Sequence, residues 1–522
     1  MTDRRALVTL GFGTAMAAAG LGVALLLPAT AAASPSDDPG HTRGPSAAAS
    51  GHRVAAPSRK APVRSRTPAR TLPTSSEEPR RHSASAGLQG SSPNVASAKA
   101  VTSPAPGPIQ AAFLAIQAYV YGYPLLEFEK FRSEATSLNT NSIRTGFASP
   151  DAVPIWRPNA DTFYSRAILD LSNGPVVLTV PDMGERYYSL QFIDPYTNVV
   201  DYIGTRSTGS GAGTYALTWA GGPQAAIAGA QTVTLPYPNM VMLGRTLVGD
   251  AADQQRAVAL MRQFTLTPTG ATAAPPAKTD PPTGLALLDA ISAALEINPP
   301  PAADAAKLAA VAQIGVGPGL RVADAHLGPL ASAAIDLAVR ASVALLPLLS
   351  VLNQYESALV NRGWAVTPGS IGRYGTDYQL RAGVAYVGPW ANIPDEAVYA
   401  AGLLDKYLLP LNGSRDYVMH FAPGQQPPAG AFWSVTVYDP SGQFVRNSLN
   451  RYSISSSRPD ELVYRPDGSI DIVFAQRDPG DPGANWLPIP NTDFSAYLRV
   501  YVPGQAVLDG RWTPPPIEPR TR

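Results

Sequence analysis

Two stretches concentrate side chains able to hold or transform a ligand. In "RPNADTFYSRAILDLS", Arg157 to Ser172, the residues Asn159, Asp161, Thr162, Tyr164 and Arg166 crowd the mouth of a strand-like run. In "GRYGTDYQLR", the residues Arg373, Tyr374, Asp377, Tyr378 and Arg381 lie around Gly372 and Gly375, which let a backbone bend and approach a ligand. An arginine holds a carboxylate through two parallel N–H bonds, and a tyrosine donates a hydrogen bond or stacks. A carboxylate whose pKa is raised by partial burial serves as a general base. Two carboxylates together are the apparatus of glycoside chemistry. Asp161 and Asp377 are therefore the candidate catalytic pair, with Asn159, Tyr164, Arg166, Arg373, Tyr374 and Tyr378 as candidate ligand contacts. Each stretch also has a structural reading. Asn159 and Asp161 suit a turn that caps its own amides, and an Arg–Asp ion pair in the second stretch would lock a helical part to a β part.

Further candidates are weaker. His420, in "DYVMHFA", is either a satisfied, partly buried histidine or a ligand contact. In "RYYSLQFID", residues two apart share a strand face, so Tyr188, Leu190 and Phe192 read as core, which turns Tyr187, Ser189 and Gln191 toward a ligand or water. Trp390, Trp433 and Trp486 suit sugar stacking or core packing, and the polar loop "FVRNSLNRYS" reads as structural. "GSGAG", Gly209 to Gly213, lacks the lysine and the strand–loop–helix context of a phosphate loop and reads as a turn.

Composition removes several chemistries. The chain has no cysteine, which excludes disulfides, thiolate metal sites and cysteine nucleophiles. Of five histidines, only His326 and His420 lie outside the low-complexity region. No multi-histidine metal site can be assembled, and no cofactor is indicated. A net charge of +1 argues against nucleic acid as a partner.

The start reads as an export signal over residues 1–33: Arg4-Arg5, an apolar run from Ala6 to Leu27, then the small residues Ala31 to Ala33. The arginine pair resembles a twin-arginine signal, and a general secretory signal fits the same residues. Uncleaved, the run is long enough to anchor the chain, which is the one membrane association expected. Residues 34–108 are rich in Ser, Pro, Ala and Arg, with ten Lys/Arg against four Asp/Glu and few large apolar side chains. Such a segment cannot offset its chain entropy by burial and is expected to be a disordered tether.

Folded sequence is expected from Ile109. "IQAAFLAIQAYVYGYPLLEFEKF" has helical spacing, with a break expected at Gly122 and Pro124. Short strand signals follow, from "AILDL" through "PVVLTVPD" and "GTYALTW" to "MVMLGRTLV", and their density indicates an antiparallel sandwich over 109–252. "DQQRAVALMRQF" and the Ala/Leu-rich runs to Leu359 predict a helical subdomain over 253–362. Strands such as "AFWSVTVYD" and "IDIVFAQ", with an Asp-Gly hairpin signal in "RPDGS", predict a second sandwich of jelly-roll type over 363–522.

Several motifs taken together resemble a known pair of families. "NADTFYS", "GPVVLTVPDMGERYYSLQFID" and "MLGRTLV" resemble domain of unknown function 1254; "GRYGTDYQLRA", "FWSVTVYDPSGQFVRNSLNRYSI", "NWLPIPNTDF" and "VLDGRWTPPPI" resemble domain of unknown function 1214. The resemblance implies an immunoglobulin-like sandwich, a helical insertion and a C-terminal jelly roll; it implies no settled activity. One departure is Ala160, where the common motif has arginine before Asp161. If that arginine binds a ligand, the ligand of this chain differs.

These observations describe an exported protein, secreted or held in the cell envelope. It is either a metal-independent enzyme acting on a small or sugar-like molecule in an interdomain cleft, or an envelope protein that binds carbohydrate or another ligand, or a structural one. The enzyme reading requires the two polar stretches to meet in one cleft.

Overall fold

The structure, a computed structural model, describes residues 105–151 and 156–520. The export signal expected over 1–33 and residues 34–104 of the tether expected over 34–108 lie outside them, and Pro108, expected to close the tether, instead opens the first helix. The first helix, α1 (Pro108–Ser133), begins with proline at a position whose N–H needs no helical partner. The break expected at Gly122–Pro124 does not occur, and Pro124 lies inside one continuous helix. The lost backbone bond is outweighed by the side chains around it: Tyr121, Tyr123, Leu125 and Phe128 are all buried. Gly122 is needed for a different reason. A side chain there would collide with Ile291, so α1 crosses its neighbour at close range.

The N-terminal sandwich packs a five-stranded sheet on a four-stranded one. The first has the order β1 (Ser142–Ile143), β2 (Thr162–Asp170), β8 (Asn239–Leu247), β4 (Tyr188–Ile193), β5 (Val199–Gly204). The second runs β7 (Gln231–Leu235), β6 (Gly213–Trp219), β3 (Val176–Val180), β9 (Thr265–Pro268). Phe163, Leu190, Phe192 and Met242 from one sheet meet Leu178, Leu217 and Leu235 from the other in one core. Strand β2 starts at Thr162, five residues before the apolar run, because it pairs with β8 over its full length, from Thr162↔Leu247 to Asp170↔Asn239. Strand β9 and helix α2 (Asp253–Met261) belong to this sandwich, although both fall in the segment expected to be helical: β9 pairs with β3, and Ala257 and Met261 enter the same core.

Helices α3 (Leu285–Ile297), α4 (Ala305–Val311) and α5 (Pro329–Val360) form a helical layer that also takes in α1 and α6 (Tyr378–Val387). Its core joins Leu114 and Tyr121 of α1 to Ile291 and Leu295 of α3, Ile335 and Val339 of α5, and Ala382 of α6. By length and hydropathy α1 and α5 both meet the requirement for crossing a bilayer; most of the apolar stretch of α1 is buried, while α5 keeps an outward apolar face at Leu337 and Leu345.

The C-terminal sandwich pairs a sheet of order β10 (Trp364–Val366), β11 (Ala397–Gly402), β17 (Ser495–Pro503), β13 (Ala429–Tyr438), β14 (Ser453–Ser455) with one of order β16 (Ala484–Pro488), β15 (Ile470–Ala475), β12 (Asp416–Phe421), β18 (Ile517–Arg520). Trp433, Val435 and Leu498 of the first face Met419, Ile472 and Leu487 of the second. The turn at Asp467-Gly468 forms, closed by the Arg465 carbonyl as acceptor from Gly468 and by the Ser469 carbonyl as acceptor from Arg465. It does not join two paired strands, because β14 and β15 lie in different sheets. The architecture is mainly β with a helical insertion between the two β regions, as the sequence pattern and the resemblance led us to expect.

Candidate functional site

The NADT segment lies between the two sandwiches. The Asn159 side chain accepts from the backbone N–H of Asp161 and Thr162, as a capping asparagine does, and its amide donates to the Tyr501 hydroxyl at 2.6 Å. Asp161 is fully buried. Its carboxylate accepts from Ser434 at 2.6 Å and Ser453 at 3.2 Å, both of the C-terminal sandwich, with Arg458 at 3.7 Å. Tyr438 donates to the Pro158 carbonyl, and Arg499 bonds the Tyr438 hydroxyl and the Arg157 carbonyl. Ala160 packs on Tyr438 and Phe444. The turn reading and the interdomain reading of this stretch are thus both realised: the segment caps itself and ties two domains together.

The outward face of the first sheet continues this layer. Tyr187 donates to Glu396 at 2.7 Å, and Glu396, nearly fully buried, also takes Arg206 at 2.6 Å. Arg245 donates to Gln191, Asn392 and the Trp390 carbonyl, while Asn392 donates to Tyr399. The Tyr187 and Gln191 face, expected to meet ligand or water, instead meets the C-terminal half of the chain. Burial raises the hydroxyl pKa of Tyr187, Tyr399 and Tyr501, so all three remain neutral, Tyr187 donating to Glu396 while Tyr399 and Tyr501 accept from Asn392 and Asn159.

A second buried cluster forms where α6 enters the helical layer. Asp377 caps α6 by accepting from the Leu380 amide, which fixes the first turn and sends Arg381 inward. Arg381 is 1% exposed. Its guanidinium is surrounded by the rings of Tyr121, Tyr196 and Tyr378, at 5.2, 5.3 and 5.0 Å. Tyr121 and Tyr378 each donate to Asp304 at 2.9 Å, and Asp304 approaches Nη1 of Arg381 at 4.0 Å. Nε and Nη2 of Arg381 have no hydrogen-bond partner among the described residues. Asp194, at the end of β4, also faces Arg381; burial raises its carboxyl from 3.8 to about 6, against the pull of Asn198 and of Arg381. Lys307 sits 5.2 Å above the Tyr378 ring, on the side where the cage is half-exposed.

The residues singled out from the sequence divide between these places and the surface. Asn159 and Asp161 are in the interdomain layer, and Tyr164 flanks it beneath Arg245. Arg166 is half-buried, its guanidinium 5.4 Å from the Phe131 ring. Tyr378 is part of the cage, and Tyr374 is buried beside it against Ile371 and Val384. Arg373 is exposed and pairs with Asp395, not with Asp377. His420 is exposed and pairs with Asp471 at 2.6 Å, in a surface network that continues through Arg465 to Asp481. Trp390 and Trp433 are core residues. Asp161 and Asp377 therefore have separate partner sets, one buried between domains and one exposed at a helix start. Sequence reasoning missed Asp304, Asp194, Tyr121 and Tyr196. The first lies in an Ala-rich run with no polar neighbours in sequence, and the tyrosines read as ordinary helix or strand-end residues.

Two measurements check these assignments. Asp161→Ala removes the acceptor of two buried hydroxyls and leaves Arg458 with Glu461 as its one carboxylate partner among the described residues, so unfolding free energy falls by about 2–4 kcal/mol; Asp377→Asn keeps a good cap and changes it by less than about 1 kcal/mol. Chemical denaturation of both variants reads the contrast, and equal effects would contradict it. The second concerns Asp194. Its folded carboxyl holds a proton more tightly than in the unfolded chain, so its contribution is intact below about pH 4 and is lost as pH rises to about 6. Asp194→Asn removes that dependence, and the variant gains on the parent by about 2–3 kcal/mol between those pH values. A constant difference across that range would contradict the buried-carboxyl assignment.

Residues 138–268 match the family model described as "Protein of unknown function (DUF1254)", and residues 396–505 match "Protein of unknown function (DUF1214)". Comparison with curated proteins returns no match. Among solved structures, the VPA0106 protein from Vibrio parahaemolyticus is similar, with a TM-score of 0.59 and 24% identity over 79% of this chain and all of that one. That likeness establishes a common fold and nothing of activity. An uncharacterized protein from Burkholderia cenocepacia aligns over 79% of this chain and 94% of its own at 13% identity, with a TM-score of 0.39, too low to argue from. The chain thus carries the DUF1254 and DUF1214 matches in the order its motifs led us to expect, one on each β region.

Proposed function

We propose that this is an exported, envelope-associated protein that binds a small oxygen-bearing ligand, and that the ligand sits at Arg381. One observation carries the reading: a guanidinium that is 1% exposed keeps two N–H donors unpartnered inside a ring of tyrosines. A buried unpaired donor costs about 1–3 kcal/mol, more when charged, so such a group marks a place where a ligand oxygen is worth most. Among the described residues, the other two fully buried arginines, Arg245 and Arg499, each make three hydrogen bonds to neutral oxygens, and the half-buried Arg132, Arg157 and Arg186 each leave Nε alone unpartnered, whereas Arg381 leaves two nitrogens on one edge. The reading differs from catalysis by a paired Asp161 and Asp377, since the first is already occupied by two hydroxyls and the second by a helix amide. A structural role in the envelope is the second reading, and the hydrogen-bonded interdomain layer favours it.

The test is a thermal-shift screen of carboxylates, phosphate, amino acids and sugars on the parent and on Arg381→Lys. A ligand at about a hundred times its Kd adds about 2.7 kcal/mol, which raises Tm by about 2 °C or more in a chain of this size. The expected result is such a rise in the parent and its loss in the variant. No rise with any compound, or an equal rise in both proteins, removes the reading. Export rests on Arg4-Arg5 and the apolar run that follows. Cell fractionation should find the chain outside the cytoplasmic membrane, and finding it intact in the cytosol removes that half of the proposal.

A further inference from the structure

The unpartnered atoms of Arg381 are Nε and Nη2, and those two N–H groups lie on the same edge of a guanidinium. The edge presents two parallel donors, which match two oxygens on one carbon. Nη1, on the other edge, faces Asp304. Asp304 is itself held by Tyr121 and Tyr378 and cannot swing round to the free edge without giving up both bonds. Building on the ligand-binding reading above, we infer that the Arg381 edge takes the carboxylate of a small organic acid, with the rings of Tyr121, Tyr196 and Tyr378 enclosing the rest of the ligand.

The charges near the site permit this. Arg381 and Lys307 stand against Asp304 and Asp194, two of each sign. An added carboxylate leaves one negative charge in excess. Asp194 can relieve it by taking a proton, because burial already holds its carboxyl near 6. The charged and titratable groups facing Asp194 are Arg381 from α6, Tyr374 from the loop before it and Tyr237 from the connection between β7 and β8. Neither tyrosine ionises near neutrality, since burial pushes both hydroxyls up. Binding therefore draws in one proton and weakens as pH rises above about 6. Entry is from the side of Tyr378, the half-exposed member of the cage. It follows a loop whose Gly372 and Gly375 adopt positive φ, a conformation open to glycine at little cost.

The experiment follows the Arg381 side-chain Nε–H resonance in the folded parent protein, identified by its absence from Arg381→Lys. Acetate and benzoate are titrated first, then glycerol and glucose as neutral oxygen donors. The expected result is a saturable shift with the acids, weakening by up to about tenfold per pH unit above about 6, and none with the neutral compounds. A shift with the neutral compounds alone overturns the carboxylate assignment and leaves the ligand-binding reading standing. No shift with any of the four, in a protein that the thermal screen shows to bind some other compound, places the ligand elsewhere and overturns the assignment. No shift here and no rise in that screen overturns both. Should the lysine variant fold poorly, Arg381→Met, which also lacks the Nε–H, supplies the identification in its place.

Discussion

The buried carboxylate of Asp161 is the contact on which the arrangement of the two sandwiches rests. A carboxylate without exposure is costly unless its lone pairs are met, and here Ser434 and Ser453 meet them from the opposite domain with Arg458 close by. The donors come from β13 and β14, neighbours in one sheet, so their spacing is set by the pairing Ser434↔Ser455 and Thr436↔Ser453. A carboxylate that needs two hydroxyls at that spacing fixes one domain against the other in orientation as well as distance. Asn159 adds the second constraint through Tyr501, whose ring stacks on Phe432 at 4.3 Å. Apolar burial supplies most of the attraction between the halves, and the polar ties decide the register in which it is realised.

The interdomain layer and the Arg381 cage differ in how far their hydrogen bonds are satisfied. Both are buried, rich in tyrosine and centred on arginine. In the interdomain layer each guanidinium has found oxygens: amide and carbonyl for Arg245, hydroxyl and carbonyl for Arg499. In the cage the positive charge is balanced by Asp304 and softened by three ring faces, yet the hydrogen-bonding edge is left open. Charge and hydrogen bonding are separate requirements. The cage meets the first and not the second.

Much of the fold was legible in the sequence because period and composition encode it locally. The alternation in "RYYSLQFID" put Tyr188, Leu190 and Phe192 into the sandwich core as expected. The Ala/Leu runs after Leu285 became helices with the expected type. The misjudged places were those where tertiary packing outweighed a local rule. Pro124 did not end its helix because the flanking tyrosines and leucine are held on both sides. Thr162 to Arg166 extended a strand instead of forming its mouth, because β8 offers a partner along the whole length. The polar stretch around Asp161 was rightly noticed, but its neighbours are more than 270 positions away in the chain, and no local signal points to them.

By itself the sequence determined what the chain cannot be and what its parts are. The absence of cysteine and the scarcity of histidine exclude whole chemistries, since no fold can supply a missing atom type. Hydrophobic period set strand and helix, since it follows from the geometry of one element. Only the tertiary structure decided which polar side chains are finished and which are waiting. Asp161 and Arg381 are both charged residues in polar stretches, and nothing in their neighbourhoods distinguishes them. One meets Ser434 and Ser453 across a domain boundary; the other meets tyrosines from α1, from the end of β4 and from its own helix, and keeps one edge free. Hydrogen-bond satisfaction depends on contacts between distant segments, and those exist only once the chain has folded.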